Sequence, residues 1–293
     1  MIAIFGPTAS GKSAVAEALA ARIPAELVSA DSAQVYRGLP ILTNQPAAPT
    51  RLVAIWELEH EASVGEYQRL AHQAIDEAIV AGRLPVVVGG TGLYLRAALA
   101  ELELPPAPRP GARERWEDLY DKEGAQRTHA LLAERDPPAA AAVHPHDRRR
   151  VVRALELAED GLSLRGERLW SGHMRHPTVV FGLDVPRDEL ARRIDSRTRA
   201  MFEAGVVEEI AAALARPLSA TAAKVMGLRE VADLPRDEAI EALALRTRQY
   251  AAYQRKWMRR IPGLVTIEAD RSPDEVADEI LALAGAGQRL PAD

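Results

Sequence analysis

An apolar strand pattern that runs straight into a glycine-bracketed loop constrains this chain more than any other feature. Ile2-Ala3-Ile4-Phe5 is followed by Gly6-Pro7-Thr8-Ala9-Ser10-Gly11-Lys12-Ser13, and Ser13 to Ala21 reads as a helix. This is the G-x-x-x-x-G-K-[ST] pattern set between a strand and a helix, the context that gives it meaning. The glycines let backbone N–H groups turn inward around phosphate oxygens, and the helix N-terminus adds partial positive charge. Lys12 supplies a point charge, and the Ser13 hydroxyl is the group that reaches a magnesium ion. The pattern specifies phosphate binding without saying which phosphate compound is bound.

The next segments keep an alternating rhythm. Glu26-Leu27-Val28-Ser29-Ala30 reads as a strand and ends at Asp31-Ser32-Ala33-Gln34. Ser63-Val64-Gly65-Glu66 has the spacing of a capping box, and Tyr67, Leu70, Ala71, Ala74, Ile75, Ala78 and Ile79 then recur at helical period. Leu84-Pro85-Val86-Val87-Val88 is a continuous apolar run, as expected for a buried parallel strand, and it stops at Gly89-Gly90-Thr91-Gly92. Such alternation predicts a doubly wound parallel sheet, which binds ligands outside the carboxyl ends of its strands. Asp31 therefore either faces the phosphate loop or merely caps its own turn. Three glycines in four residues imply close backbone approach, and Thr91 is the only hydroxyl among them.

The prolines of 105–110 mark a boundary, and from there to Pro177 only helical patterns appear. Helices are expected from Arg113 to Gly124, from Arg127 to Arg135, and from Asp147, with Val151, Ala154, Leu155, Ala158 and Leu162 on one face. Residues 109–176 carry a net charge of +1 in a chain of net charge −5, with the positive charge concentrated at Arg148, Arg149, Arg150 and Arg153. Asp147 is the only acid close to that run in sequence. The run is either a solvated helix face or a contact for a phosphate backbone. The core thus comes from both ends of the chain, with a helical insertion of about 70 residues between.

After the insertion come a strand over 178–185, helices over about 187–214 and 237–258, a last strand at Val265-Thr266-Ile267-Glu268-Ala269 and a closing helix from Asp274 to Ala284, with 285–293 frayed. Lys224-Val225-Met226-Gly227-Leu228-Arg229-Glu230 reads as a helix or turn with two exposed cations. In Arg255-Lys256-Trp257-Met258-Arg259-Arg260, Trp257 either packs in the core or stacks on a polyanion's bases. The absence of cysteine excludes disulfides, thiol nucleophiles and cysteine-ligated zinc, and suits a reducing compartment. No apolar run approaches the roughly 20 residues of a membrane span. A cytoplasmic monomer without membrane contact is expected.

Taken together, Gly6–Ser13, the run from Ser29 to Gly38 through Asp31-Ser32-Ala33-Gln34-Val35-Tyr36-Arg37, and Val88-Gly89-Gly90-Thr91-Gly92-Leu93-Tyr94 closely resemble the tRNA dimethylallyltransferases, also called tRNA isopentenyltransferases. The resemblance continues in order through Asp147 to Glu156, Met226 to Glu230 and Thr247-Arg248-Gln249-Tyr250. It implies an α/β, P-loop NTPase-like parallel sheet core over 1–106 and 177–293, with an inserted helical domain over 107–176 that grips the tRNA anticodon stem-loop. It implies transfer of a dimethylallyl group from dimethylallyl diphosphate to N6 of the adenosine 3′-adjacent to the anticodon, with diphosphate released and Mg2+ assisting. By the same resemblance Gly6, Pro7, Thr8, Ala9, Ser10, Gly11, Lys12 and Ser13 hold the diphosphate, Ser13 also the Mg2+. Asp31 is the general base, with Thr91 and Lys12 beside it in the chemistry. Asp31, Ser32, Ala33, Gln34 and Thr91 contact the target adenosine. Arg113, Arg149, Arg150, Val151, Val152 and Arg153, together with Lys224, Val225, Met226, Gly227, Leu228 and Arg229, match the family's tRNA contacts. The sequence departs from the family at Leu42-Thr43-Asn44-Gln45-Pro46, which lacks the usual lysine, and at Thr50 to Trp56, which lacks the usual histidines. A kinase of small molecules or nucleotides, or a nucleotide switch, would share the loop and the sheet but not the whole set.

Overall fold

The computed structural model describes residues 1–106, 109–164 and 173–287. The expected fraying of 285–293 falls largely on residues outside that range. The chain divides into two compact units, Met1–Leu102 with Gly172–Asp293, and Glu103–Ser171. Both crossings come a few residues before the expected divisions at 106/107 and 176/177.

The first unit opens with β1 (Ile2–Phe5), α1 (Lys12–Ala20), β2 (Ala25–Ser29), α2 (Val64–Val80), β3 (Leu84–Gly89) and α3 (Gly92–Leu99). The second unit holds α4 (Ala112–Glu123), α5 (Ala125–Arg135), α6 (Pro137–Ala142) and α7 (Arg148–Glu159). The chain then returns to the first unit with β4 (Val179–Asp184), α8 (Arg187–Glu203), α9 (Val206–Leu214), α10 (Leu228–Asp233), α11 (Arg236–Met258), β5 (Val265–Glu268) and α12 (Pro273–Gly287). The five strands lie in the order β2-β3-β1-β4-β5, and every pair is parallel. All four residues of β1 are buried, because helices cover both faces of a parallel sheet. On one face Ile2, Ile4, Phe181 and Leu183 meet Val15 and Leu19 of α1, Leu190 and Ile194 of α8, and Val276 and Ile280 of α12. The single helix expected over 187–214 is two, because Gly205 at φ 94° breaks it.

Ser63 caps α2 as its spacing predicts, accepting from the Glu66 N–H at 3.2 Å. The Glu66 carboxylate instead meets the His60 ring at 2.8 Å. In the helical unit Trp116, Leu132, Ala139, Val143, Val151, Val152 and Leu155 form a core of their own. Asp147 caps α7 by accepting from the Arg150 N–H at 3.2 Å. The helix stops at Glu159, so Leu162, expected on its apolar face, lies beyond it and is exposed.

Candidate active site

The ladder aligns the ends of three strands. Phe5 lies opposite Gly89, and Ser29 opposite Val88. The segments after Phe5, Ser29 and Gly89 therefore leave the sheet along one edge. β1 connects through α1 toward β2, whereas the chain after β3 returns on the other side of β1 to β4. The connections diverge between two adjacent strands, the place where open α/β sheets form their ligand crevice. A cleft lies at this edge, with Lys12, Ser13, Asp31, Gln34 and Gly89 in its wall.

The loop on the β1 side is shaped for an anion. Ala9 and Gly11 both adopt left-handed backbone, at φ 64° and 89°. Alternation of this kind aims successive N–H groups into one concavity. No side chain caps α1, so its first N–H groups carry no side-chain acceptor. The Ser10 hydroxyl is buried without a hydrogen-bond partner. Lys12 donates from Nζ to the Pro7 carbonyl at 2.7 Å. Burial pushes its pKa down to about 8; the nearby Asp31 carboxylate opposes that shift and Arg197 reinforces it. Arg197, from α8, donates to Thr8 Oγ1 at 2.6 Å. Its pKa is lowered by burial and held up by Asp31. Two cations and one carboxylate thus act on each other across the loop.

On the β2 and β3 side, Asp31 Oδ1 accepts from the Ala33 N–H at 2.9 Å. Both sequence readings of Asp31 hold: it caps its turn and it lines the cleft. Thr91 Oγ1 accepts from the Ser32 N–H at 3.3 Å and meets Ser32 Oγ at the same distance. The Tyr250 phenol contacts Thr91 and Gln254, and burial, then the Asp31 charge, push its pKa up to about 12. Gln34 is held from both sides. Its Oε1 accepts from Ser29 Oγ at 2.9 Å, and its Nε2 donates to the Asn44 carbonyl at 2.9 Å. Gln45 adds a bond from Nε2 to the Tyr36 carbonyl at 2.8 Å. The atypical 42–46 segment therefore works through the Asn44 backbone and the Gln45 amide as a support for Gln34.

The glycines at the end of β3 and in the turn beyond it make the close backbone approach that their spacing implies. A Cβ on Gly89 would lie 2.1 Å from the Ala30 carbonyl oxygen, one on Gly90 2.1 Å from Gln254 Nε2, and one on Gly92 2.4 Å from the Trp257 ring. The close approach is made by the chain itself. Trp257 packs half-buried on Gly92 with its ring edge-on to Tyr253.

The family model for IPP transferase matches residues 34–261. The chain belongs to the IPP transferase family. It is 40% identical to the tRNA dimethylallyltransferase of Thermobifida fusca, over 97% of this chain and 93% of that one. It is 39% identical to that of Anaeromyxobacter dehalogenans, over 96% and 98%. The crystal structure of the tRNA isopentenylpyrophosphate transferase from Bacillus halodurans superposes with a TM-score of 0.70 at 31% identity, covering 97% of this chain and 95% of that one.

The tRNA contacts carried over from the family fare unevenly. In the helical unit the arginine run is not short of acids. Arg148 pairs with Asp121 and Glu117 of α4, Arg150 with Asp147, and Arg113 and Arg153 both with Glu156. Sequence distance hid Glu117 and Asp121, because α4 packs on α7 only in the fold, whereas Asp147 and Glu156 lie three residues from Arg150 and Arg153. Arg149 is exposed and has no ion pair among the described residues. Val151 and Val152 are 0% and 3% exposed and fill the unit's core, so their side chains cannot meet RNA. Leu228 in the first unit is likewise 0% exposed, and Gly227 is buried, with φ 96°, against Leu42 and Leu243. Lys224 and Arg229 are the exposed cations of that segment, as expected.

Glu156 has a side chain only 1% exposed, with Arg153 at 2.8 Å and Arg113 at 3.0 Å. Arg153→Ala leaves this buried carboxylate with one charged donor. A loss of about 1–3 kcal/mol in the stability of the helical unit is expected. Thermal melting with helix-unit amide exchange measures it; an unchanged Tm and exchange pattern would remove the pair as a stabilising contact.

Arg197 and Gln254 are the site residues that sequence reasoning missed. A signal for each exists. Both interrupt the buried stripe of their helices, at Leu190, Ile194, Thr198 and Met201 for α8 and at Thr247, Ala251 and Met258 for α11. A polar side chain on a core-facing stripe marks a buried hydrogen-bonding role.

Proposed function

We propose that this protein transfers a dimethylallyl group from dimethylallyl diphosphate to N6 of the adenosine 3′-adjacent to the anticodon of tRNA, releasing diphosphate. The observation that carries the reading is the pairing, in one cleft, of an anion-shaped loop with the Asp31 carboxylate at the end of β2. Membership of the family and the names of its tRNA dimethylallyltransferase relatives support it.

The chemistry follows from these groups. The N6 amine of adenine is a poor nucleophile, because its lone pair is delocalised into the ring. Asp31 takes the N6 proton as the C–N bond forms, which is worth about 10²–10⁴-fold. The C–O bond of the donor breaks and the electron pair leaves with the diphosphate. Lys12, the loop N–H groups and Arg197 oppose that charge where it develops. The loop thus stabilises a leaving group and transfers no phosphoryl. The target base leaves its stack to reach Asp31, and Ser32, Gln34 and Thr91 are the polar groups that receive it. The donor set suits Mg2+, a hard cation that takes few protein oxygens besides substrate phosphates: the Ser13 hydroxyl would hold it in the cleft that Asp31 lines, where it would neutralise diphosphate charge.

The reading is tested by incubating unmodified tRNA with the protein, dimethylallyl diphosphate and Mg2+, then mapping the adduct by nuclease fragments. One dimethylallyl group on the adenosine 3′ of the anticodon is the expected result. No adduct, or an adduct on another base, would overturn it.

Arg149→Ala is expected to weaken tRNA binding and lower the slope of log affinity against log salt by about 1, with an unchanged Tm. An unchanged slope would take Arg149 out of the RNA contact.

A further inference from the structure

Past the last ladder pair, Phe5 and Gly89, no direct hydrogen bond joins the phosphate loop to the Gly90–Gly92 turn among the described residues. One side chain bridges them. Gln254, 2% exposed on α11, accepts the Thr8 N–H on Oε1 at 2.7 Å and donates from Nε2 to the Gly90 carbonyl at 2.9 Å. The bridge needs a neutral group that accepts at one end and donates at the other, which is what a primary amide provides. It also needs a glycine, since a Cβ on residue 90 would lie 2.1 Å from Nε2. Tyr250, one turn earlier on α11, extends the same network to Thr91.

We propose that Gln254 is a positioning residue that fixes the diphosphate loop against the Gly90–Thr91 turn, and so sets the approach of the acceptor amine to the donor carbon. This rests on the transferase reading above. The loop after β1 carries the donor and the turn after β3 carries the acceptor, so the amide is the strut between the two substrates. A shift of about 1 Å between reacting groups costs on the order of 100-fold.

Gln254→Glu tests the strut. Ionised, the carboxylate still accepts from Thr8 but sets an oxygen against the Gly90 carbonyl. Protonated, the acid has the amide's pattern again, one acceptor and one donor. At neutral pH the variant should lose about 10–100-fold in kcat/KM for the donor. Relative to the wild type it should recover as the pH falls, and its affinity for inorganic diphosphate, measured by calorimetry, should follow the same course. Gln254→Leu, of similar volume, separates the strut from a simple charge effect: it should lose kcat/KM comparably, at every pH. A glutamate variant with a pH-independent deficit and a normal melting curve would overturn the proposal. So would a leucine variant with wild-type kcat and diphosphate affinity. A glutamate variant that fails to fold leaves the leucine result to decide. Absence of prenyl transfer by the wild type itself would sink the transferase reading, while the diphosphate affinities would still report on the strut.

Discussion

Asp31→Asn should fold and bind both substrates, yet turn over at least about 100-fold more slowly than the wild type. The amide oxygen can still accept from the Ala33 N–H, so the turn that Asp31 caps stays intact. What the substitution removes is the proton acceptor and one negative charge. Steady-state kinetics should therefore lower kcat with little change in either KM. A second consequence is electrostatic. Asp31 holds up the proton affinity of Lys12 and of Arg197. Without it Lys12 should lose its proton at lower pH, and the pH dependence of donor binding should move down. Wild-type turnover in this variant would remove Asp31 from the mechanism.

Lys12→Ala should cost about 10²–10³-fold in kcat, because it deletes a cation from the site where the leaving diphosphate gains charge. The intact residue gives a pH signature as well. In the free protein its pKa lies at about 8, pushed down mainly by burial. Bound diphosphate favours the charged lysine and raises that value. The complex therefore holds more protons than the free protein above about pH 8. Donor affinity should be flat below that pH and fall by about tenfold per pH unit above it. Calorimetry in buffers of different ionisation enthalpy should register proton uptake on binding at about pH 9. Flat affinity through this range would mean that Lys12 does not meet the donor in its charged form.

The parts of the site that lie on one continuous stretch were legible in the sequence. Strand, loop and helix from Ile2 to Ala20 follow from apolar pattern and glycine spacing, and the end of β2 put Asp31 at the ligand edge. The parts that depend on distant partners were not. Gln254 reaches a loop 246 residues away, and Arg197 one 189 residues away. Local pattern records only that each occupies a buried helix stripe, not what it touches. The same limit misled the reading of charge. Arg148 looked unpaired until α4 brought Glu117 and Asp121 to it. It also left the partners of Gly89, Gly90 and Gly92 unread. Three glycines announce close approach, but only the fold reveals that the approaching groups are Ala30, Gln254 and Trp257.

Giving the protein dimethylallyl diphosphate and ATP at equal concentration, with unmodified tRNA and Mg2+, tests the central claim that this loop releases a diphosphate leaving group. Modified adenosine, free diphosphate and ADP are followed in the same tube. The account predicts one diphosphate released per modified adenosine and no ADP. ADP formation without modified adenosine would contradict it and make the loop a phosphoryl-transfer site.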